Sequence, residues 1–107
     1  DGLQGEAGAA ERLIKAMASE PRLRILCALT GGERTVGELQ ASVGLAMSAV
    51  SQHLARLRAA GIVSTRRQGQ AICYSLASDA AKEIMAALRQ RYGARPASSK
   101  LNRRKTS

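Results

Sequence analysis

Apolar residues recur at helical spacing at Ala10, Leu13, Ile14 and Met17, which predicts a first helix over 9–18. Ser19-Glu20-Pro21 supplies a cap and a first-turn proline for a second helix. Leu23, Leu26, Cys27 and Thr30 are expected to line one side of it, until Gly31-Gly32 end it. Thr35-Val36-Gly37-Glu38 has the form of a capping box, opening a third helix that runs to about Ser42 and breaks at Gly44. A fourth helix is predicted over 46–60, with Gly61 in the usual place past a C-terminus.

After Gly61 the period changes from helical to alternating. Segments 62–67 and 70–76 are rich in β-branched residues and flank Gln68-Gly69, a hairpin turn by composition. Ile72, Tyr74 and Leu76 alternate toward one face, which puts Cys73 in the opposite pleat and predicts it exposed. A last helix over 78–92, capped by Ser78 or Asp79, carries Ala81, Ile84, Met85, Leu88 and Tyr92 as one stripe. The expected fold is mainly α with a small β-hairpin, in the order α-α-α-α-β-β-α. The first and last helices carry more apolar surface than a small monomer covers, so they are the expected dimer surface. The division that follows is a flexible N-terminus at 1–8, one folded domain at 9–92 and a disordered basic tail at 93–107.

Composition sharpens this picture. The chain has 107 residues, enough for one domain and no more. Two tyrosines with no Phe or Trp make the core aliphatic. No apolar run approaches the roughly 20 residues of a membrane span, and the first ten residues lack the basic and apolar regions of a signal peptide. A cytoplasmic, nucleoid-associated location is expected, with no membrane partner. The net charge is +9, and it is lopsided: residues 54–107 carry twelve basic side chains against two acidic ones. Between Glu38 and Asp79 there is no acid, while Arg56, Arg58, Arg66 and Arg67 lie inside that gap. Such a stretch faces a polyanion without repelling it.

The third and fourth helices, joined at Gly44, form a helix-turn-helix pattern. At 100° per residue Met47, Val50, Leu54 and Leu57 fall within about 80° of one another and must face the core. Ser48, Gln52 and Arg56 then form one outward line, with Ala49, Ala55 and Ala59 as small neighbours that let a groove come close; Ser51 lies at its edge. Ser and Gln hydrogen-bond base edges, and Arg56 reaches a guanine edge or a phosphate. An ordinary solvated helix surface would be richer in Glu and Lys. The hairpin tip, Arg66-Arg67-Gln68-Gly69-Gln70, adds a basic loop able to lie on phosphates or enter a minor groove. Lys100, Arg103, Arg104 and Lys105 of the tail add nonspecific attraction.

The runs Met17-Ala18-Ser19-Glu20-Pro21-Arg22-Leu23-Arg24-Ile25-Leu26, Val36-Gly37-Glu38-Leu39, Ser48-Ala49-Val50-Ser51-Gln52-His53-Leu54 and Leu57-Arg58-Ala59-Ala60-Gly61-Ile62-Val63 resemble the ArsR/SmtB family of winged-helix regulators. The resemblance covers about residues 9–92. Val63 to Arg67 and Ser78 to Gly93 are similar to a branch without metal sites, which includes nodulation and sulfur-responsive regulators. It implies a homodimer joined through first and last helices, binding a palindromic operator in double-stranded DNA and repressing transcription. Two positions depart from the pattern. Met47 stands where relatives often have Gln, and its helical angle favours packing inward over touching a thymine methyl. Gln40 stands where the turn motif usually has Ala.

The family's metal sites have no counterpart here. Where many members carry two cysteines, this chain has Thr35-Val36-Gly37-Glu38, and its last helix offers Asp79 and Glu83 but no His, a poor zinc set. No metal and no cofactor are expected. His53, the single histidine, reads as a partly buried hydrogen-bonding side chain on the flank of the fourth helix. Cys27 matches one of two cysteines that sulfur-responsive relatives oxidise, but the matching second position is Gly93. Cys27 is thus a structural cysteine or a lone reactive thiol, and Cys73 is the other candidate redox residue. One histidine, no nucleophile motif and no acid from 39 to 78 argue against an enzyme. The alternative binding function, nonspecific DNA or RNA packaging, finds little support in two tyrosines, because stacking modules need exposed aromatics.

Overall fold

The computed structural model describes residues 2–93, so the basic tail at 94–107, with Lys100, Arg103, Arg104 and Lys105, lies outside the described residues. Six helices and three strands follow in the order α1 (Gly2–Gly5), α2 (Ala7–Met17), α3 (Glu20–Leu29), β1 (Arg34–Thr35), α4 (Val36–Val43), α5 (Met47–Ala59), β2 (Val63–Gln68), β3 (Ala71–Leu76) and α6 (Asp79–Tyr92). The segment expected as a flexible start, 1–8, is helical from Gly2 to Gly5 and again from Ala7.

Local chemistry accounts for most of these boundaries. Ser19 accepts from the Arg22 amide at 3.2 Å to open α3, with Pro21 in its first turn. The capping box at α4 is closed in both directions: Thr35 Oγ1 accepts from the Glu38 amide at 3.2 Å, and Glu38 Oε1 accepts from the Thr35 amide at 2.9 Å. Gly44 ends α4 in the left-handed region, φ 71°, where a β-carbon would be strained. Ser78 caps α6 by accepting from the Ala81 amide at 3.0 Å.

One aliphatic core joins the helices and sheet, with Ile25, Leu26, Leu39, Val50, Leu54, Leu57, Ile62 and Ala81 fully buried. The buried stripe of α3 is Arg22, Ile25, Leu26 and Leu29, one residue behind the expected Leu23, Leu26, Cys27 and Thr30. Both sets have helical spacing. The true one contains a charged residue, which hydrophobic patterning discards. Cys27 accordingly points outward and is exposed.

The sheet has three strands, not two, in the order β1-β3-β2 and antiparallel throughout. Arg34 pairs with Tyr74 and Thr35 with Cys73, a two-residue strand too short for a sequence period to reveal. Gln68 pairs with Ala71, so the turn residues are Gly69 and Gln70 rather than Gln68 and Gly69. Gly69 at φ 63° supplies the positive torsion that a two-residue hairpin loop needs at its first position. Cys73 is buried, against the expectation of exposure. The pleat does set it opposite Ile72 and Tyr74, but β3 is the central strand, so Cys73 lies between its cross-strand neighbours Arg66 and Thr35 with its thiol against Gln68, while Ile72 near the hairpin tip is the exposed one.

Candidate nucleic-acid interface

The fourth predicted helix, now α5, divides as its period requires. Val50, Leu54 and Leu57 are fully buried, while Ser48, Ser51, Gln52, Ala55, Arg56 and Ala59 are exposed and Ala49 is half-buried. The outward line Ser48–Gln52–Arg56 carries no partner contact among the described residues that would withdraw it from a ligand. Met47 joins that exposed side at 44 % exposure, which corrects the expectation that it packs inward. Its angle points coreward, but it is the first residue of the helix, a full turn from the buried Val50. Ala46 offers no side-chain acceptor at the helix start, so first-turn amides are left for solvent or an anion.

What holds α5 in place was missed by patterning. Arg22 is 8 % exposed, and its Nε donates to the Ala16 carbonyl at 2.6 Å while Nη2 reaches the Lys15 carbonyl at 3.5 Å. Both are carbonyls of the last turn of α2, and that of Lys15 also accepts from the Ala18 amide at 3.2 Å. Nη1 faces His53 Nδ1 at 3.4 Å, so one guanidinium ties α2, α3 and α5 together. Burial, and then the nearby Arg56 charge, lower the Arg22 pKa from its ordinary value. His53 is half-buried on the flank of α5 in this contact, a hydrogen-bonding histidine as its position suggests. Arg24 plays a similar part below, donating from Nη1 to the Val43 carbonyl at 2.8 Å at the end of α4. The helix-turn-helix is thus braced at both of its helices by arginines of α3.

The wing separates its two arginines. Consecutive strand residues face opposite ways, and the register puts Arg66 opposite Cys73 but Arg67 opposite Ile72. Arg67 is exposed, as are Gln68, Gly69 and Gln70. Arg66 is engaged: its Nε and Nη2 meet Glu33 Oε2 and Oε1 at 2.6 and 2.9 Å, and Nη2 also reaches Gln68 Oε1 at 3.3 Å. The same Gln68 oxygen accepts from the Cys73 thiol at 3.7 Å. The Arg66 hydrogen bond holds the Glu33 carboxyl below its usual range, and Glu33 in turn raises the Arg66 pKa. Glu33 had no role in the sequence reading, because nothing local links it to a residue 33 positions away.

Two further surfaces complete the picture. Ile14 on α2 and Tyr92 on α6 are 56 % and 79 % exposed, and Ile84 and Leu88 are half-buried, so both terminal helices keep apolar surface uncovered. Cys27 opens into a groove of about 370 Å³ between α3 and α6, lined also by Leu23, Met85, Leu88, Tyr92 and Gly93. Cys27 and Cys73 are both free thiols. Among the described residues no three His, Cys, Asp or Glu side chains gather as metal ligands, and no helix is long and apolar enough to cross a membrane.

Residues 19–65, the span from the α3 cap into β2, match the bacterial regulatory protein family arsR. The nodulation protein NolR of Rhizobium meliloti is 49% identical over 88 residues, 82% of this chain and 72% of that protein. The transcriptional activator HlyU of Vibrio cholerae is 48% identical over 80 residues, 75% of this chain and 74% of that one. The solved structure of reduced HlyU superposes with a TM-score of 0.81 at 42% identity, covering 86% of this chain and 97% of that one. A homodimeric winged helix-turn-helix DNA-binding domain from Mycobacterium bovis, 28% identical, covers 86% of this chain and 85% of its own with a TM-score of 0.74.

Proposed function

The chain belongs to the arsR family of bacterial regulatory proteins and has its winged helix-turn-helix fold, and on that premise we propose that it is a homodimeric, sequence-specific repressor acting on nucleoid DNA in the cytoplasm. One observation carries the reading: α5 buries Val50, Leu54 and Leu57 completely and leaves the row Ser48, Gln52 and Arg56 open. A helix so anchored can enter a major groove edge-on. In this reading Gln52 bonds an adenine edge, Ser48 and Ser51 bond bases or phosphates near the helix start, Ala49 touches the groove floor, and Arg56 reaches a guanine or the backbone.

The wing supplies the sequence-independent part. Arg67 is the phosphate contact, with Gln70 at the tip and the NH2 donors of Gln68 on the opposite, Arg66 side of the wing as further donors. Twofold symmetry through α2 and α6 would set two recognition helices about 34 Å apart, one turn of B-DNA, which calls for a palindromic operator. The uncovered Ile14 and Tyr92 support that pairing, as does the homodimeric state of the Mycobacterium bovis domain. Seated across a promoter, such a dimer excludes polymerase by occupying the same DNA.

The test is selection of bound duplexes from a random pool, followed by a reporter driven by a promoter carrying the selected site. Enrichment of a palindrome and a fall in reporter output are expected. A rise in output would reassign the protein to activation, the role in the printed name of HlyU. Equal affinity for selected and scrambled duplexes would instead mean a packaging protein.

A further inference from the structure

We propose that Glu33 is an internal rival of the DNA backbone for Arg66, and that it sets how strongly the wing grips DNA of any sequence. The inference rests on the DNA-binding reading above and adds a residue that touches no base. Its ground is geometric. The Glu33 carboxylate meets Arg66 Nε and Nη2 in a two-pronged arrangement at 2.6 and 2.9 Å, the same fork that guanidinium offers to a phosphate. While that fork is closed on Glu33, it is closed to DNA.

The rest of the fold keeps the acid in position. Glu33 sits immediately before β1, whose Arg34 and Thr35 are paired to Tyr74 and Cys73, so its backbone is fastened to the sheet that carries Arg66. Arg34 Nη1 donates to the Glu33 carbonyl at 2.8 Å and fixes the residue further. The register turns Arg66 to the Cys73 side of the sheet and Arg67 to the Ile72 side. Gln68 Oε1 adds a second acceptor for Arg66 Nη2 on that side.

The pair is open to competition. The Arg66 and Glu33 side chains are 54% and 35% exposed, so water and salt screen their attraction and a phosphate can compete for it. A wing whose second arginine is neutralised by its own chain makes one fewer backbone contact, which lowers nonspecific binding and leaves discrimination to α5. No acid lies between Glu38 and Asp79, so it is Glu33, reaching in from outside that stretch, that brings a negative charge to the arginines of the wing.

The experiment is a salt titration of binding to a selected duplex and to a random one, with the full chain, Glu33→Gln and Glu33→Gln/Arg66→Ala. Releasing Arg66 adds one phosphate contact, so Glu33→Gln should steepen the slope of log K against log salt by about 0.9, roughly eightfold tighter binding at 0.1 M. The gain should be equal on both duplexes and should vanish in the double variant. Thermal unfolding of each variant, with Glu33→Ala as a second replacement, separates a loss of fold from a change in binding. An unchanged slope, or weaker binding by a folded Glu33→Gln protein, would overturn the proposal, the latter showing that Glu33 aims Arg66 at DNA. If the unaltered chain binds neither duplex, the DNA-binding reading itself fails, a result distinct from any difference among the variants.

Discussion

Arg22 of α3 and His53 of α5 meet at 3.4 Å, guanidinium Nη1 to ring Nδ1. A guanidinium only donates, so Nδ1 is the acceptor in this contact. Helix α5 is thereby joined to the arginine that also closes the end of α2.

Replacing Arg22 by Met keeps the aliphatic stem and removes every one of these donors. The Ala16 carbonyl loses its charged partner, at a cost of about 2 kcal/mol. A lower denaturant midpoint with an unchanged m-value is expected, and Arg22→Lys should not restore it because an ammonium cannot span the same acceptors.

The two edges of α5 should separate stability from recognition. Leu54→Ala empties part of a fully buried site and should cost about 2–5 kcal/mol of unfolding free energy. Gln52→Ala, on the exposed row, should stay within about 0.5 kcal/mol of the parent in stability. Its effect should fall on discrimination at one base position, by about 1–3 kcal/mol in competition binding against substituted operators. A folded Gln52→Ala protein with unaltered base preference would remove this residue from the reading surface.

Arg67→Ala should weaken selected and random duplexes to the same degree and make the salt slope shallower by about 0.9. A loss confined to the selected duplex would mean that Arg67 reads bases.

Ile14→Ser combined with Tyr92→Ser should move the protein toward monomer in sedimentation equilibrium, since both side chains stand uncovered on α2 and α6. Affinity for a palindrome should fall with it, while affinity for a single half-site should change little. An unchanged dimer would place the subunit contact elsewhere.

The Glu33–Arg66 pair predicts a pH dependence with a definite sign. The folded-state carboxyl is held below its ordinary value by the Arg66 hydrogen bond, so its contribution to stability is present above the unfolded-state pKa, roughly 4.3, and is lost as pH falls through the depressed value. Acid titration of unfolding should therefore show a component in this window that Glu33→Gln abolishes. At the same low pH, duplex binding by the two proteins should converge.

Helix ends were legible in the chain because they are written in adjacent residues: Ser19, Thr35 with Glu38, Gly44 and Ser78 act within three or four positions, and each cap is formed. The two-sided character of α5 was legible for the same reason, since Val50, Leu54 and Leu57 against Ser48, Gln52 and Arg56 is a matter of angle alone. Met47 is exposed despite its coreward angle, since angle says nothing of where the core stops along a helix axis. On α3 the buried stripe was set one residue forward, since Arg22 has the right phase and the wrong polarity until the carbonyls of α2 are there to receive it.

The order of residues thus determined the helices, the turn between α4 and α5, the wing and the exposed polar row of α5, all products of short-range torsional and periodic preference. The fold alone decided that Cys73 is covered, that β1 joins the sheet, that Arg22 is buried and that Arg66 is held by Glu33. Each of these depends on chain segments brought together from a distance, where a contact's free energy comes from the meeting and leaves no mark on either stretch by itself.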